Sequence, residues 1–149
     1  MSGLFYMRGT MVLVGCAMLA VVIAAVYAPG LSGGFYFDDS VQIVNNPYIA
    51  VPGLDPESLL RAARSTHTGP LGRPLSLASF AINHHFTGFD PFYFKLTNVA
   101  IHVLASLGVV CLFRLMLVVH REASGSADSD RTVGWIALAA ATFWAVHPL

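Results

Sequence analysis

The chain has 149 residues, with eight basic and eight acidic side chains and a formal net charge of zero. Hydrophobic residues make up 56% of it and charged residues only 11%, whereas a soluble domain carries about 25% charged residues. The composition excludes an ordinary soluble domain and predicts an all-α membrane protein. The zero net charge gives no electrostatic reason to expect nucleic acid as a partner.

The first predicted element is a membrane span at about 11–28, a stretch without any charged residue. As a helix it would be about 27 Å long, close to the roughly 30 Å hydrocarbon core of a bilayer. Arg8 precedes it and Pro29-Gly30 ends it. Val26-Tyr27-Ala28 also resembles a cleavage site, which makes a secretory signal peptide the alternative. Further apolar segments follow, and the apolar region is longer than that of a signal, so we favour an uncleaved span.

A long loop at 30–91 is predicted to follow, with two short helices at the membrane surface. The first helix begins at Asp55-Pro56-Glu57, since Asp suits the N-cap, Pro the first helical position, and Glu the positive end of the helix dipole. Packing on protein instead of on the membrane is the alternative for this helix. The second covers 75–86, after a break at 68–75, and is too short to cross a bilayer.

Two further spans are predicted at about 93–119 and 133–149, joined by a flexible linker at 121–131. We therefore expect a single membrane domain over 1–149 with about three transmembrane helices. An inside N-terminus divides the basic residues evenly between the two faces, but the short linker is the more densely basic. This favours a cytoplasmic linker and an extracytoplasmic first loop.

Two adjacent acids, Asp38 and Asp39, lie a few residues after the first span. Carboxylates so close to a membrane are costly to place and predict a functional site. In an extended segment side chains alternate, so one acid would face a reaction centre while the other orients the segment. The structural alternative is that Asp39-Ser40 only N-caps a following helix.

Three other polar residues are candidates for substrate binding. Arg73 could hold a phosphate, because a guanidinium matches phosphate with two parallel hydrogen bonds. Asn98 and His102 would share one helical face with Lys95 near the start of a span. The alternatives are a surface position for Arg73, and snorkelling or hydrogen bonds between helices for the other three.

The sequence predicts no dedicated metal site. His84 and His85 are adjacent and point to different sides of a helix, and the two cysteines, Cys16 and Cys111, lie in apolar runs without ligand spacing. No cofactor is predicted with certainty. A divalent cation is a candidate ligand of the acid pair, because hard cations bind carboxylates.

A series of motifs occurs in a fixed order between 33 and 149. They are Phe37-Asp38-Asp39, Asn45-Asn46-Pro47, Arg73-Pro74-Leu75, Ser79-Phe80-Ala81-Ile82-Asn83, Gly88-Phe89-Asp90-Pro91, Leu96-Thr97-Asn98-Val99-Ala100-Ile101-His102 and Phe143-Trp144-Ala145-Val146-His147-Pro148-Leu149. Together they resemble the amino-terminal part of the polytopic GT-C glycosyltransferases. The resemblance is strongest to the tetratricopeptide-repeat-bearing transmembrane O-mannosyltransferases and their bacterial relatives.

The resemblance implies an enzyme that moves a sugar from a polyprenyl-phosphate carrier to an acceptor, often a protein hydroxyl, in the bacterial inner membrane or the endoplasmic reticulum. The acidic motif of the first extracytoplasmic loop in this family falls on Asp38 and Asp39, which are therefore the expected catalytic residues. Family members are much longer, so we expect 1–149 to correspond to the amino-terminal fragment of such an enzyme. A non-catalytic membrane subunit or scaffold, whose loop docks a partner, is the alternative function.

Overall fold

The computed structural model describes residues 2–65 and 72–147, with side chains from residue 12 onward, and its long regular elements there are helices. The α-helices are α1 (Ser2–Tyr27), α2 (Pro56–Ala63), α3 (Pro74–Thr87), α4 (Pro91–Ser124) and α5 (Asp130–Val146). A 3₁₀ segment, Ala28–Ser32, follows α1, and a π-helical segment, Ser40–Val44, precedes α2. The all-α prediction is confirmed.

The chain divides into two compact units. The helix unit consists of Met1–Pro29 and Val99–Leu149, and the loop unit consists of Gly30–Asn98. The loop unit contains the predicted acid pair, both short helices and the first residues of α4.

Two segments are long and apolar enough to cross a membrane by length and composition, Val12–Ser32 and Pro91–Ser124. Large apolar side chains point outward along both, among them Leu13 and Leu104, which are 70% and 68% exposed. Such exposure suits contact with lipid and indicates a membrane location. The third span stays a prediction, because α5 has 17 residues and a span needs about 20. Arg8, 66–71 and the terminal Pro148-Leu149 lie outside the residues whose side chains the structure describes.

A stripe of small residues on α5 allows close packing in the helix unit. Ala137, Ala141 and Ala145 recur every four residues and are fully buried. The last two join a core cluster with Leu19 and Ile23 of α1. Small residues let helix backbones approach closely, which matters in lipid because no hydrophobic force drives helices together there.

The last turn of α5 is closed by side chains from two other helices. The final carbonyls of a helix have no intrahelical donors. The carbonyl of Ala145 accepts hydrogen bonds from Nε2 of His102 at 2.9 Å and from the hydroxyl of Tyr27 at 3.4 Å. Because a carbonyl can only accept, this network assigns the proton of His102 to Nε2. The contact of His102 is therefore the hydrogen bond between helices considered above as an alternative.

The predicted start of the first loop helix is confirmed. Asp55 is the N-cap of α2, and its Oδ1 accepts a hydrogen bond from the backbone N–H of Ser58 at 2.9 Å. That hydrogen bond lowers the pKa of the Asp55 carboxyl below its ordinary value. The helix packs on α3 through a cluster that contains the fully buried Ala62 and Ala81. Packing on protein, the alternative considered for this helix, therefore describes its buried face.

Two element boundaries differ from the prediction. α3 exceeds the predicted 75–86 by one residue at each end and stops before Gly88, whose φ is +63°. α4 continues through Arg121 to Ser124, so the flexible linker is shorter than predicted. It stops where Gly125 adopts a φ of +64°, a left-handed conformation typical of the residue that follows a helix.

Candidate functional site: an acid turn after the first span

The acid pair lies in a tight turn, so the predicted extended conformation is wrong. The backbone N–H of Asp39 donates to the carbonyl of Tyr36 at 3.0 Å. In return, the backbone N–H of Tyr36 donates to Oδ2 of Asp39, also at 3.0 Å. We call residues 36–39 the acid turn. Its two reciprocal hydrogen bonds reverse the chain direction just after the apolar segment that ends at Ser32.

Phe37 holds a strained position inside the acid turn. Its φ is +46°, in the left-handed region, where a bulky side chain costs about 1–2 kcal/mol. The residue is 96% exposed, so packing within the described residues does not offset this cost. Strain of this kind persists only where the surrounding structure holds it in place.

Replacing Phe37 with Gly should therefore stabilise the protein relative to replacing it with Ala. Both changes remove the ring, but only glycine adopts a positive φ without steric cost, so we expect a difference of about 1 kcal/mol in the free energy of unfolding. Denaturant unfolding in detergent micelles measures it. Equal stabilities would mean that the positive φ of Phe37 carries no strain.

The two carboxylates of the acid turn are in different environments. Asp38 is exposed, and its carboxylate has no hydrogen-bond partner within the described part of the chain. Its carbonyl accepts from the backbone N–H groups of Val41 and Gln42, at 3.1 and 2.8 Å, which links the acid turn to the π-helical segment. Asp39 is half-buried and engaged with Tyr36. One acid is thus held in the turn, and the other is free to meet a ligand.

The structural alternative for this pair, N-capping of a following helix by Asp39-Ser40, involves no side-chain hydrogen bond from Asp39. Asp39 occupies the position before the π-helical segment, but its backbone is already helical, with φ −59° and ψ −35°. Its side chain makes no cap hydrogen bond. The carboxylate points back along the chain to Tyr36 instead, which closes the acid turn.

A small core supports the acid turn. Phe35, the residue before the turn, packs edge-on against Phe94 of α4 with ring centroids 5.4 Å apart. Phe94 is only 2% exposed and clusters with Ile43, Ile49 and Leu77. Fully burying one such side chain contributes about 1.5–3 kcal/mol. The segments on both sides of the acid turn are therefore anchored to one core.

Asn46 organises the segment that follows, a role that sequence reasoning missed. Its side chain is 7% exposed and donates to the Gln42 carbonyl at 3.2 Å and to Oγ of Ser65 at 2.8 Å. Its Oδ1 accepts from the backbone N–H of Tyr48 at 3.1 Å. Asn and Pro are typical turn residues, so the motif Asn45-Asn46-Pro47 can indicate the local turn. The buried partner Ser65 lies 19 residues away, and nothing local signals it.

The other predicted site residues occupy separate positions. Arg73 is exposed at the N-cap of α3, and its carbonyl accepts from the backbone N–H of Leu77. Asn98 is exposed on α4 in the loop unit, whereas His102 belongs to the helix unit. Among the hydrogen bonds and ion pairs of the described residues, none joins the two carboxylates to Arg73 or Asn98. Their roles in substrate binding remain predictions.

No group of three or more His, Cys, Asp or Glu side chains comes together in ranges 2–65 and 72–147. Mg²⁺ commonly binds to one or two carboxylates together with water and substrate phosphates, which is fewer protein ligands than such a group contains. A divalent cation at the acid pair remains a prediction, and no chemical step below depends on it.

Comparison with known proteins relates the chain to two curated proteins. It is 33% identical over 144 residues to mouse Protein O-mannosyl-transferase TMTC1, and 30% identical over 142 residues to the human protein of that name. Each alignment covers 89% of this chain, but the chain spans only 13% of the mouse protein and 14% of the human one. No family model and no solved structure matches. A distant relationship to TMTC1 therefore extends over most of the chain.

Proposed function

We propose that this chain is the amino-terminal membrane domain of a GT-C-type glycosyltransferase that moves a sugar from a polyprenyl-phosphate carrier to a hydroxyl acceptor, with Asp38 as catalytic base. The observation that carries the proposal is an exposed, unpaired carboxylate fixed in a turn, six residues after the end of an apolar segment at Ser32. The similarity to an O-mannosyl-transferase along nearly the whole chain supports it.

In the proposed reaction the Asp38 carboxylate accepts the proton of the acceptor hydroxyl while that oxygen attacks the anomeric carbon. The new carbon–oxygen bond forms as the bond to the carrier phosphate breaks, and the phosphate leaves with the electron pair. The carboxylate must lie within about 2.6–3.2 Å of the hydroxyl in the productive complex. A phosphate leaving group needs little acid assistance, and a cation is enough to stabilise its charge.

Arg73 is the proposed donor to that phosphate. Its guanidinium is exposed and can form paired hydrogen bonds with phosphate oxygens. Asn98, also exposed, is proposed to bind a sugar hydroxyl. His102 is also proposed to bind the substrate. It would do so through Nδ1, because its Nε2 donates to the Ala145 carbonyl. The acceptor is proposed to be a protein hydroxyl.

The proposed domain has three spans and places the acid turn on the extracytoplasmic side of the inner or endoplasmic reticulum membrane. A single cysteine at Ser40, in a variant with Cys16 and Cys111 replaced by Ala, should react with an impermeant maleimide in sealed vesicles whose extracytoplasmic face is outward. A cysteine at Ser126, in the linker, should react only after the vesicles are opened. The reverse pattern would place the acids on the cytoplasmic side and end the proposal.

Activity is tested by transfer of labelled sugar from polyprenyl phosphate to protein in membranes that contain the product of the complete gene. Asp38→Asn is the decisive variant. Glu57→Gln is the matched control, because Glu57 is an exposed acid of the same loop whose ion pair with Arg61 lies on the surface.

A non-catalytic subunit or scaffold is the second candidate function. The exposed aromatic residues in and after the acid turn favour it: Tyr36 is 62% exposed, Phe37 96% and Tyr48 50%. Aromatic side chains are enriched in protein interfaces. If this is the function, Phe37→Ala should abolish copurification of a partner, and Asp38→Asn should leave both transfer and copurification unchanged.

A further inference from the structure

Lys95, the only lysine of the chain, is hydrogen-bonded to the segment that precedes the acid turn. Its ammonium donates to the Gly30 carbonyl at 3.1 Å and lies 5.6 Å from the centroid of the Tyr36 ring. The second distance is within the range of a cation–π contact. One side chain of α4 thus holds both ends of the stretch 30–36.

We propose that Lys95 is a positioning residue for the acid turn, setting the direction in which Asp38 faces the reactants. The reactants are those of the proposed transferase, so this role in catalysis rests on the proposed function. The contacts of Lys95 with Gly30 and Tyr36 do not depend on the proposed function, because they lie within the loop unit.

Gly33 provides the space that the ammonium occupies. A Cβ atom at this position would lie 2.5 Å from Nζ of Lys95, much closer than such atoms approach. Gly34 is a natural comparison, because a Cβ there would have no neighbour within 4 Å. Neither glycine has a φ in the left-handed region, so alanine is compatible with both backbones. Alanine at 33 should therefore displace the lysine, and alanine at 34 should not.

Tyr36 transmits the effect from Lys95 to the acids. Its ring contacts the ammonium, while its backbone N–H and carbonyl form the two hydrogen bonds with Asp39 that close the turn. Asp38 lies between these two residues. A displaced lysine would therefore loosen the hydrogen bond of Asp39 and change the backbone position from which Asp38 projects.

The first measurement needs no activity. Carbodiimide labelling, read by mass spectrometry, gives the reactivity of Asp39 relative to Asp128, an exposed carboxylate of the linker. Loss of its hydrogen bond should raise the labelling of Asp39 about two- to tenfold in Lys95→Met and in Gly33→Ala. Gly34→Ala should match the wild type. Unchanged labelling in both of the first two variants would overturn the proposal.

The second measurement separates positioning from folding. In Lys95→Met and Gly33→Ala, kcat should fall about tenfold or more, since small misplacements of a reacting group are costly, while KM for the lipid-linked sugar stays constant. The double variant should be no slower than either single one, because both changes remove the same contact. Equal losses in Gly34→Ala, or additive losses in the double variant, would contradict a positioning role.

The outcomes also distinguish this proposal from the proposed function. Raised labelling of Asp39 in Lys95→Met and Gly33→Ala, combined with no transfer by the wild type, would support the positioning of the acid turn by Lys95 and reject the transferase. Normal transfer by the wild type, combined with unchanged labelling in those variants, would support the transferase and reject the positioning by Lys95. If Lys95→Met fails to fold, as shown by lost helicity in circular dichroism, Gly33→Ala decides the question.

Discussion

Asp38→Asn is expected to lower the rate of sugar transfer about 10²–10⁴-fold, the usual contribution of a general base. Asparagine has the same shape but cannot accept the proton. Asp39→Asn should cost less than about tenfold, because its amide oxygen can still accept the hydrogen bond from Tyr36 and keep the turn closed. Initial rates of transfer at saturating donor in membranes with equal amounts of protein measure the difference.

Two controls make the comparison of the acids informative. Glu57→Gln should transfer sugar at the wild-type rate, which shows that loss of an exposed negative charge in this loop is harmless. Circular dichroism should be the same for all variants. If Asp39→Asn proves as slow as Asp38→Asn, the base is not Asp38 alone. Full transfer by both variants would remove the acid pair from the chemistry.

Asn46→Asp is expected to lower the free energy of unfolding by about 2–4 kcal/mol. We expect no larger loss of stability from any other Asn-to-Asp substitution in the loop unit. The change replaces an amide donor by an oxygen that faces the Gln42 carbonyl and Oγ of Ser65. Ser65 can turn its proton toward the new oxygen only by giving up its hydrogen bond to the Ala62 carbonyl at 2.7 Å, and the Gln42 carbonyl has no proton to offer. Thermal unfolding and limited proteolysis in micelles measure the loss.

Asn45→Asp is the matched control for this change. Asn45 is the preceding residue and is exposed, so the same substitution there should change stability by less than about 0.5 kcal/mol. Acidification should restore part of the stability of Asn46→Asp, because a protonated carboxyl again has a proton to donate. Equal stability of the two variants at neutral pH would show that the buried network around Asn46 contributes little.

Local chemistry made most of the helices predictable. Asp55 followed by Pro56 is a helix start that needs no tertiary information, because the cap and the first position are satisfied by neighbours in sequence. The predicted end of α4 is too early for a related reason. Small and charged residues favour a linker from Arg121 onward, yet Arg121 and Glu122 are good helix formers, and the helix continues until Gly125 changes the sign of φ.

The acid turn depends on contacts that the sequence does not reveal. Nothing about Phe37 suggests a positive φ, which is unusual for a bulky residue. The conformation follows from tertiary anchoring of the preceding residues to α4, with Lys95 bound to the Gly30 carbonyl and Phe35 packed against Phe94. The position of the acid pair after the first span was predictable from hydropathy. The difference between its two carboxylates was not.

The length of α4 has a consequence for the membranes in which this protein can reside. Its 34 residues extend about 51 Å, whereas the hydrocarbon layer measures about 30 Å. If α4 crosses the membrane, tilting alone would need an angle of more than 50°, beyond the 0–40° that membrane helices adopt, so part of the helix must extend into the headgroup zones or the water. In a bilayer a few ångströms thicker or thinner, the boundary between hydrocarbon and headgroups would then lie at a different residue of α4, and the backbone hydrogen bonds of the helix would stay intact.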